Sequence, residues 1–486
     1  MKAIIIGSGI SGICAAIRLK SKGFDVEIYE KNDGPGGKLN TFYLDKFRFD
    51  AGPSLFTMPH LVDELFELFE LNPRDYFNYK KKKIHCKYFW DDGTKFIAYS
   101  DKNKFLNEIK DKFNIEEDVV NRYLKKARIK YDLTEKIFLK KSLHKLSSFL
   151  NIDTIKALFS LNIFQINKTL NEVNSNELKN KYLVQIFNRY ATYNGSSPYR
   201  TPGMMTLIQH LENHFGTYIP EGGMYEITNS IFKLAKKIGV KFYFKSNVDE
   251  IILENDTVKN IKVNNEIIQS DIIVTNADVN FTYEKLLKQK YKHKSLKNES
   301  SSSALIFYWA MKKSYDQLDL HNIFFSSNYK EEFDSIFEKK EIYADPTIYV
   351  NISSKDVLTD APPNCENWFV MINSPYNLEQ NWDSQIKITK KQVIAKLEKI
   401  LGKKIEENII KEKVYSPIDL ELNTNSFNGS LYGSSSNNIM SSFMRHPNFS
   451  NKIKNLFFCG GSVHPGGGIP LAILSSKIVS DLIEIR

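Results

Sequence analysis

The first thirty residues constrain the fold more than any others. Lys2 to Ile6 is a short isoleucine-rich run, the pattern of a strand buried on both faces of a parallel sheet. GSGISG follows, a G-x-G-x-x-G at Gly7, Gly9 and Gly12. ICAAIRLKSKG then reads as a helix that stops at Gly23, and DVEIYE as a second strand ending on Glu30, 18 residues after Gly12. Each part suits a dinucleotide. Gly7 permits the tight turn, and Gly9, lacking Cβ, lets a pyrophosphate reach the backbone. Ile10 and Ser11 open a helix whose free N–H groups and positive dipole end face the phosphates. Gly12 lets helix and strand pack closely, and Glu30 accepts hydrogen bonds from ribose hydroxyls. A glycine triplet alone is weak; strand, turn, helix, strand and acid in this order predict an α/β chain with a Rossmann-like dinucleotide-binding domain. The fingerprint does not separate NAD from FAD.

Two further glycine-rich stretches extend this pattern. Gly34 to Gly37, with Gly36 and Gly37 followed by Lys38, come directly after Glu30 and Lys31, and Asp50-Ala51-Gly52-Pro53-Ser54 closes a hairpin-like segment. Near the C-terminus a strand, Asn455 to Cys459, runs into GGSVHPGGGIP and an apolar helix, PLAILSSKIVSDLIEI. Gly460 and Gly461 end that strand. Gly466 to Gly468 let the backbone pass against a flat ring, where a Cβ would collide. Ile469 and Pro470 start the last helix, proline suiting its first turn, and the helix aims its N–H groups at an electron-rich edge. This tail resembles the closing stretch of FAD-containing amine oxidases and phytoene desaturases, which implies that it is the second half of a cofactor site.

Between these ends the pattern changes. Residues from about 95 to 215 show helical spacing. From Leu143 to Leu170, Phe149, Ile152, Ile155, Phe159, Ile163 and Ile166 recur at three- and four-residue steps. A helix packed on the core is the first reading. The second is an interfacial helix beside Lys140, Lys141 and Lys145. From about 290 to 415 the chain is aromatic and strand-rich, and Tyr308, Trp309, Tyr349, Trp368 and Phe369 line a channel or fill a sheet core. The chain of 486 residues carries a net charge of +10, which raises nucleic acid or an anionic membrane as partners. No zinc-finger or RNA-binding signature accompanies the lysines, so nucleic acid is set aside, and Lys80 to Lys83 reads as a solvated loop. Cys14, Cys86, Cys365 and Cys459 form no C-x-x-C pair, which speaks against zinc or disulfide scaffolding and for a reducing, cytoplasmic compartment; no metal site is expected. Glycines interrupt the apolar N-terminus, so it is not read as a secretory signal, and no stretch has the roughly 18 uninterrupted apolar residues of a spanning helix.

The stretch GGK after the acid, followed by FDAGPS, resembles the FAD-containing amine oxidase and phytoene desaturase superfamily. The resemblance implies FAD, with Lys38 standing where the family often has arginine and with Gly52, Pro53 and Ser54 beside the cofactor. It implies an adenine-side backbone contact at Val248, a helix near the flavin opened by PEGG at Pro220 to Gly223, and a strand, DIIVTNAD, ending near the cofactor. It also implies an FAD-binding domain assembled from residues 1–95, 216–290 and 416–486. An inserted substrate domain of mixed sheet plus helices would then comprise a helical, membrane-facing region, 96–215, and a sheet, 291–415. The C-terminal NLFFCGGSVHPGGGIP is similar to the closing signature of bacterial carotenoid desaturases, and NGSLYGSSSNNIMSSFMRHP is closer in wording to carotenoid 3,4-desaturases than to phytoene desaturases. The implied reaction removes hydride and proton from a long polyene, as a 3,4-desaturation at the acyclic end of a hydroxylated or monocyclic (γ-carotene type) carotene, with oxygen or a quinone as terminal acceptor and peripheral membrane contact. Phytoene desaturation, a flavin amine oxidase and a non-enzymatic isoprenoid carrier are the other readings. His464 is the candidate base or a histidine that fixes the glycine loop; Ser462 and Arg445 are further candidates.

Overall fold

The computed structural model describes residues 1–144, 161–288 and 290–484. Five parallel strands form the first sheet, in the order Leu456–Phe458, Ile272–Thr275, Lys2–Ile6, Asp25–Tyr29, Lys241–Tyr243. Lys2–Ile6 lies at its centre, with Ile4 opposite both Ile273 and Glu27. The isoleucine run is buried from Ala3 to Ile6, as a strand covered on both faces must be. The helices Ile10–Ser21 and Ile469–Leu482 pack on each other over this sheet, so the two ends of the chain meet. Ser11 Oγ donates to Ala472 O (2.6 Å) and bonds with Ser475 Oγ (2.9 Å), which in turn accepts from Gly460 N (2.8 Å).

A second, mixed sheet has seven strands: Ile409–Tyr415, Ser303–Met311, Glu366–Ser374, Ile348–Asn351, His321–Phe324, Ile84–Phe89 and Lys95–Tyr99. Its last two strands precede or straddle residue 95, so a boundary there cuts this seven-stranded sheet. They join through a parallel pairing, Asn322 with Lys87, that no local pattern announces. Period-two alternation divides the aromatic residues between the sheet's faces. Trp309 and Trp368 lie opposite each other at 0% exposure and fill the core beneath the helix Trp382–Leu401. Tyr308, Tyr349 and Phe369 point the other way and line a cavity.

The region 96–215 is helical from Lys102–Phe113 onward, through Glu117–Thr134, Leu170–Leu178 and Lys181–Asn188. Phe149, Ile152, Ile155 and Phe159 lie outside the described residues; Ile163 is exposed on a short helix, Leu161–Phe164, and Ile166 is half-buried. The Lys80–Lys83 run is a loop only at Lys82 and Lys83, and it is exposed except at Lys82. Tyr79–Lys81 is a strand paired with Tyr218–Pro220, and Lys82 bridges to Asp356 at 2.6 Å, because chain that is distant in sequence supplies its partners.

Candidate active site

One cavity of about 730 Å³ runs from the glycine loops of the first sheet onto the aromatic face of the second. Gly7, Gly9, Ile10 and Ser11 line it at one end. Gly12 does not; a Cβ there would strike the Gly7 carbonyl, so its role is the close packing of helix on strand. The second glycine loop lies on the first: Gly36 N donates to Ser8 O at 2.9 Å. Gly36, Gly37, Gly52, Pro53 and Ser54 all face the cavity. Glu30 is buried at its edge, where it accepts from Ser8 N (2.8 Å) and Ser8 Oγ (2.9 Å) through one oxygen and from Asn32 N (2.9 Å) through the other. Val248 lines the cavity beside it, on chain anchored by Ser246 N donating to Glu30 O (2.8 Å).

From the other side come Gly460, Gly461, Gly468, Ile469 and Pro470. Gly468 has φ +97° with nothing near the position of a Cβ, whereas a Cβ on Gly467 would run into the Tyr432 ring. Of the three glycines read as clearing a ring, Gly467 therefore makes room for a protein side chain. Asn276, at the end of DIIVTNAD, is wedged between the halves; its Nδ2 donates to Cys459 O (3.3 Å). The helices starting at Ile10 and Ile469 both have glycine N-caps, no side-chain cap and no acidic residue in the first turn. Two uncompensated positive helix ends thus open on one cavity.

The cations differ in placement. Lys38 Nζ donates to the carbonyls of Leu431 (2.7 Å) and Ser430 (3.2 Å), and burial pushes it down to about 8 against the opposing pull of Asp278. Lys31 Nζ is engaged by Leu422 O (2.9 Å) and Asn425 Oδ1 (2.8 Å), so it ties the end of the second strand to the C-terminal segment. Arg445 is buried with no carboxylate at ion-pair distance among the described residues. It donates to Tyr432 O (2.8 Å) and Gly461 O (3.3 Å), leaves Nη2 unpartnered, and is lowered to about 10 by burial. A guanidinium left short of acceptors, two open helix ends and backbone glycines match an electron-rich, pyrophosphate-bearing group. The site residues therefore fit a flavin dinucleotide.

His464 is placed elsewhere. It is fully buried, does not line the cavity, bonds through Nε2 to Lys141 O (2.9 Å) and packs edge-on against Phe138. Burial lowers it to about 3, so it is neutral. This placement supports the loop-fixing role over the base. Ser462 Oγ accepts from Val279 N at 3.1 Å on the cavity wall. The PEGG helix opens as expected, Tyr225–Lys237, but its first N–H groups are taken by Asp50, which accepts from Met224 N (2.8 Å) and Tyr225 N (2.9 Å).

A buried polar cluster in the same cavity has no motif in the sequence. Arg189 Nη2 bonds Glu212 Oε1 at 3.1 Å, and the Tyr190 and Tyr193 hydroxyls donate to the same carboxylate (3.0 and 2.6 Å). Burial alone would raise the Glu212 carboxyl, but Arg189, His85 and these hydroxyls hold it at about 2. Beside it, Ser54 Oγ meets Tyr349 OH (2.8 Å), which meets His321 Nδ1 (2.7 Å). Arg189 and Glu212 are 23 residues apart with irregular chain between them and become adjacent only once folded, so no spacing could flag them.

A family model described as flavin containing amine oxidoreductase matches residues 10–483. The chain belongs to that family. The chain's fold is also that of cyclohexylamine oxidase from Brevibacterium oxydans IH-35A, which is 13% identical, with a TM-score of 0.62 over 99% of this chain and 98% of that one. Among curated relatives, the chain is 51% identical over 483 residues to a 1-hydroxycarotenoid 3,4-desaturase of Flavobacterium sp. (strain P99-3), covering 99% of each chain. It is 31% identical over 489 residues to a 4,4'-diapolycopene oxygenase of Methylomonas sp, covering 99% of this chain and 98% of the relative. As a member of the flavin-containing family with an intact cradle, the protein is an FAD-dependent oxidoreductase.

Proposed function

We propose that the protein is a carotenoid desaturase of carotenoid biosynthesis that introduces the 3,4 double bond at the 1-hydroxylated, acyclic end of a carotene. The observation that carries this reading is the full-length match to the 1-hydroxycarotenoid 3,4-desaturase, 51% identical. It favours 3,4-desaturation over phytoene desaturation, and the intact glycine cradle favours an enzyme over a carrier.

FAD, when bound, supplies the hydride acceptor for oxidation of a CH–CH bond. The chain's own residues position the polyene and keep it dry. Tyr308, Phe369 and Met371 present an apolar face to it, and the cavity joins that face to the cradle without a break. The second hydrogen leaves as a proton. Delocalisation of charge along a polyene lets a weak acceptor take it, so His464, sealed outside the cavity, is not needed as a base. Oxygen or a quinone serves as terminal electron acceptor.

A carotene is dissolved in a bilayer. The chain carries a net charge of +10, and among the described residues no helix is long and apolar enough to cross a membrane. Ile439, Met440 and Met444 expose apolar side chains next to Ser442 and Phe443 of the cavity wall. These features support peripheral attachment at a cytoplasmic membrane surface. The protein should float with anionic vesicles at low salt and release at high salt; protein left in the supernatant at low salt counts against attachment.

The function is tested by expression in cells that accumulate 1-hydroxylated carotenes. Pigment spectra should gain one conjugated double bond per hydroxylated end. Unchanged spectra, with yellow flavin-loaded protein present, would overturn the reading.

A further inference from the structure

A polyene offers no hydrogen-bonding group, yet part of this cavity is polar. Most of that polarity is internally satisfied: the Glu212 carboxylate receives Arg189 and two tyrosine hydroxyls, and His85 Nδ1 meets Thr217 Oγ1 at 2.9 Å. Arg189 Nε and His321 are the exceptions beside that cluster. His321 lines the cavity at 3% exposure, and its Nε2 has no hydrogen-bond partner among the described residues.

The state of that nitrogen follows from its neighbours. Asn351 Nδ2 donates to Leu320 O at 3.1 Å, which orients the amide so that the same NH₂ group faces His321 Nδ1, 3.2 Å away. The amide N–H facing it leaves Nδ1 unprotonated, so its one lone pair accepts from the Tyr349 hydroxyl at 2.7 Å, and Ser54 supports Tyr349 in turn. Burial keeps the ring neutral, at about 3, so its single proton sits on Nε2. His321 on the cavity wall thus carries a fixed N–H donor, buried just behind the cavity surface, that lacks an acceptor, a costly arrangement unless a ligand reaches it.

We propose that His321 recognises the substrate's hydroxyl, its Nε2–H donating to the oxygen on C1, in a subsite held by Tyr349, Asn351 and Ser54 beside the Arg189–Glu212 pair. This rests on the reading of the protein as a 1-hydroxycarotenoid 3,4-desaturase and deepens it. Connectivity of the substrate agrees with the placement. The C1 oxygen is three bonds from C3, so a group that holds it must stand close to the reacting carbons and hence to the cofactor cradle. Ser54, two residues beyond Gly52 of that cradle, links the two directly.

The test compares purified, FAD-loaded enzyme on a 1-hydroxylated acyclic carotene and on its deoxy analogue in vesicles. Wild type should prefer the hydroxylated substrate by at least about 100-fold in kcat/KM, since a site built to bond a hydroxyl rejects the analogue that lacks it. In His321→Leu the ratio of the two kcat/KM values should fall at least about tenfold, and His321→Gln, which can return an N–H near Nε2, should recover part of it. An unchanged ratio in His321→Leu, with both rates falling together, would make His321 structural and overturn the proposal. If His321→Leu loses FAD, Tyr349→Phe provides the same comparison, since it frees the ring that positions Nε2. A wild type that desaturates both substrates equally also overturns the proposal, while the desaturase reading stands. A wild type that desaturates neither overturns that reading and the proposal with it.

Discussion

A Cβ on Gly12 would meet the Gly7 carbonyl, part of the backbone itself, so no side-chain rotation can relieve it. Gly12→Ala should therefore push the first helix off its strand, at a cost of about 1–3 kcal/mol. A lower flavin-to-protein absorbance ratio and a reduced melting temperature are the expected outcome; unchanged flavin content would show that the helix can shift freely. His464 is the opposite case at the same scale, a conspicuous residue with a supporting task. His464→Gln keeps a donor for the Lys141 carbonyl and should retain FAD, with turnover within about threefold of wild type. Loss of about 100-fold, or of one limb of the pH–rate profile, would place His464 in the chemistry.

At the scale of elements, Asp50 joins three of them. Its carboxylate caps the helix Tyr225–Lys237 through Met224 N and Tyr225 N, and it pairs with Arg48 at 2.6 Å. Arg48 in turn grips the fully buried Asp360 on the substrate-sheet side (3.1 and 3.2 Å). Removing one partner of a buried pair leaves the other uncompensated and the helix end uncapped. Asp50→Ala should cost about 3 kcal/mol, read as a lower urea midpoint. A midpoint equal to wild type would mean that water replaces the carboxylate.

At the scale of the whole molecule, buried histidines set the response to acid. Burial lowers His321, His446 and His464 to about 3 and His210 to about 4, from 6.5. Between those values and 6.5 the unfolded chain binds more protons than the native one, so stability falls as pH drops through that window, by at most about 1.4 kcal/mol per pH unit for each. Glu332, raised to about 7 by burial, acts in the opposite sense between 4.5 and 7, as do the raised carboxyls of Asp278 and Asp360 over their own windows. Glu212, held at about 2, adds to the acid loss below 4.5. Urea midpoints should therefore fall most steeply below about pH 4.5. His446→Phe should flatten that slope; an unaltered slope would assign acid unfolding to other groups.

What the sequence determined by itself is the set of glycine loops and open helix starts that meet at one end of the cavity. Its requirements are local: a missing Cβ at Gly9 or Gly12, an acid at the end of the next strand, an uncapped helix beginning at Ile469. Each is written within a few consecutive residues, and the two halves could be read separately although about 400 residues divide them. Tertiary structure alone decided the rest. Whether Tyr308 or Trp309 faced the cavity depended on which side of the sheet received the helix Trp382–Leu401. Ile84–Phe89 joined that sheet through a partner more than 200 residues away. Arg189 met Glu212, and His321 was left with a bare N–H, because folding put polar groups from separate elements beside one cavity. Backbone constraints act between neighbours and leave a pattern in the chain; the partner of a buried charge or ring nitrogen is chosen by packing, and packing leaves none.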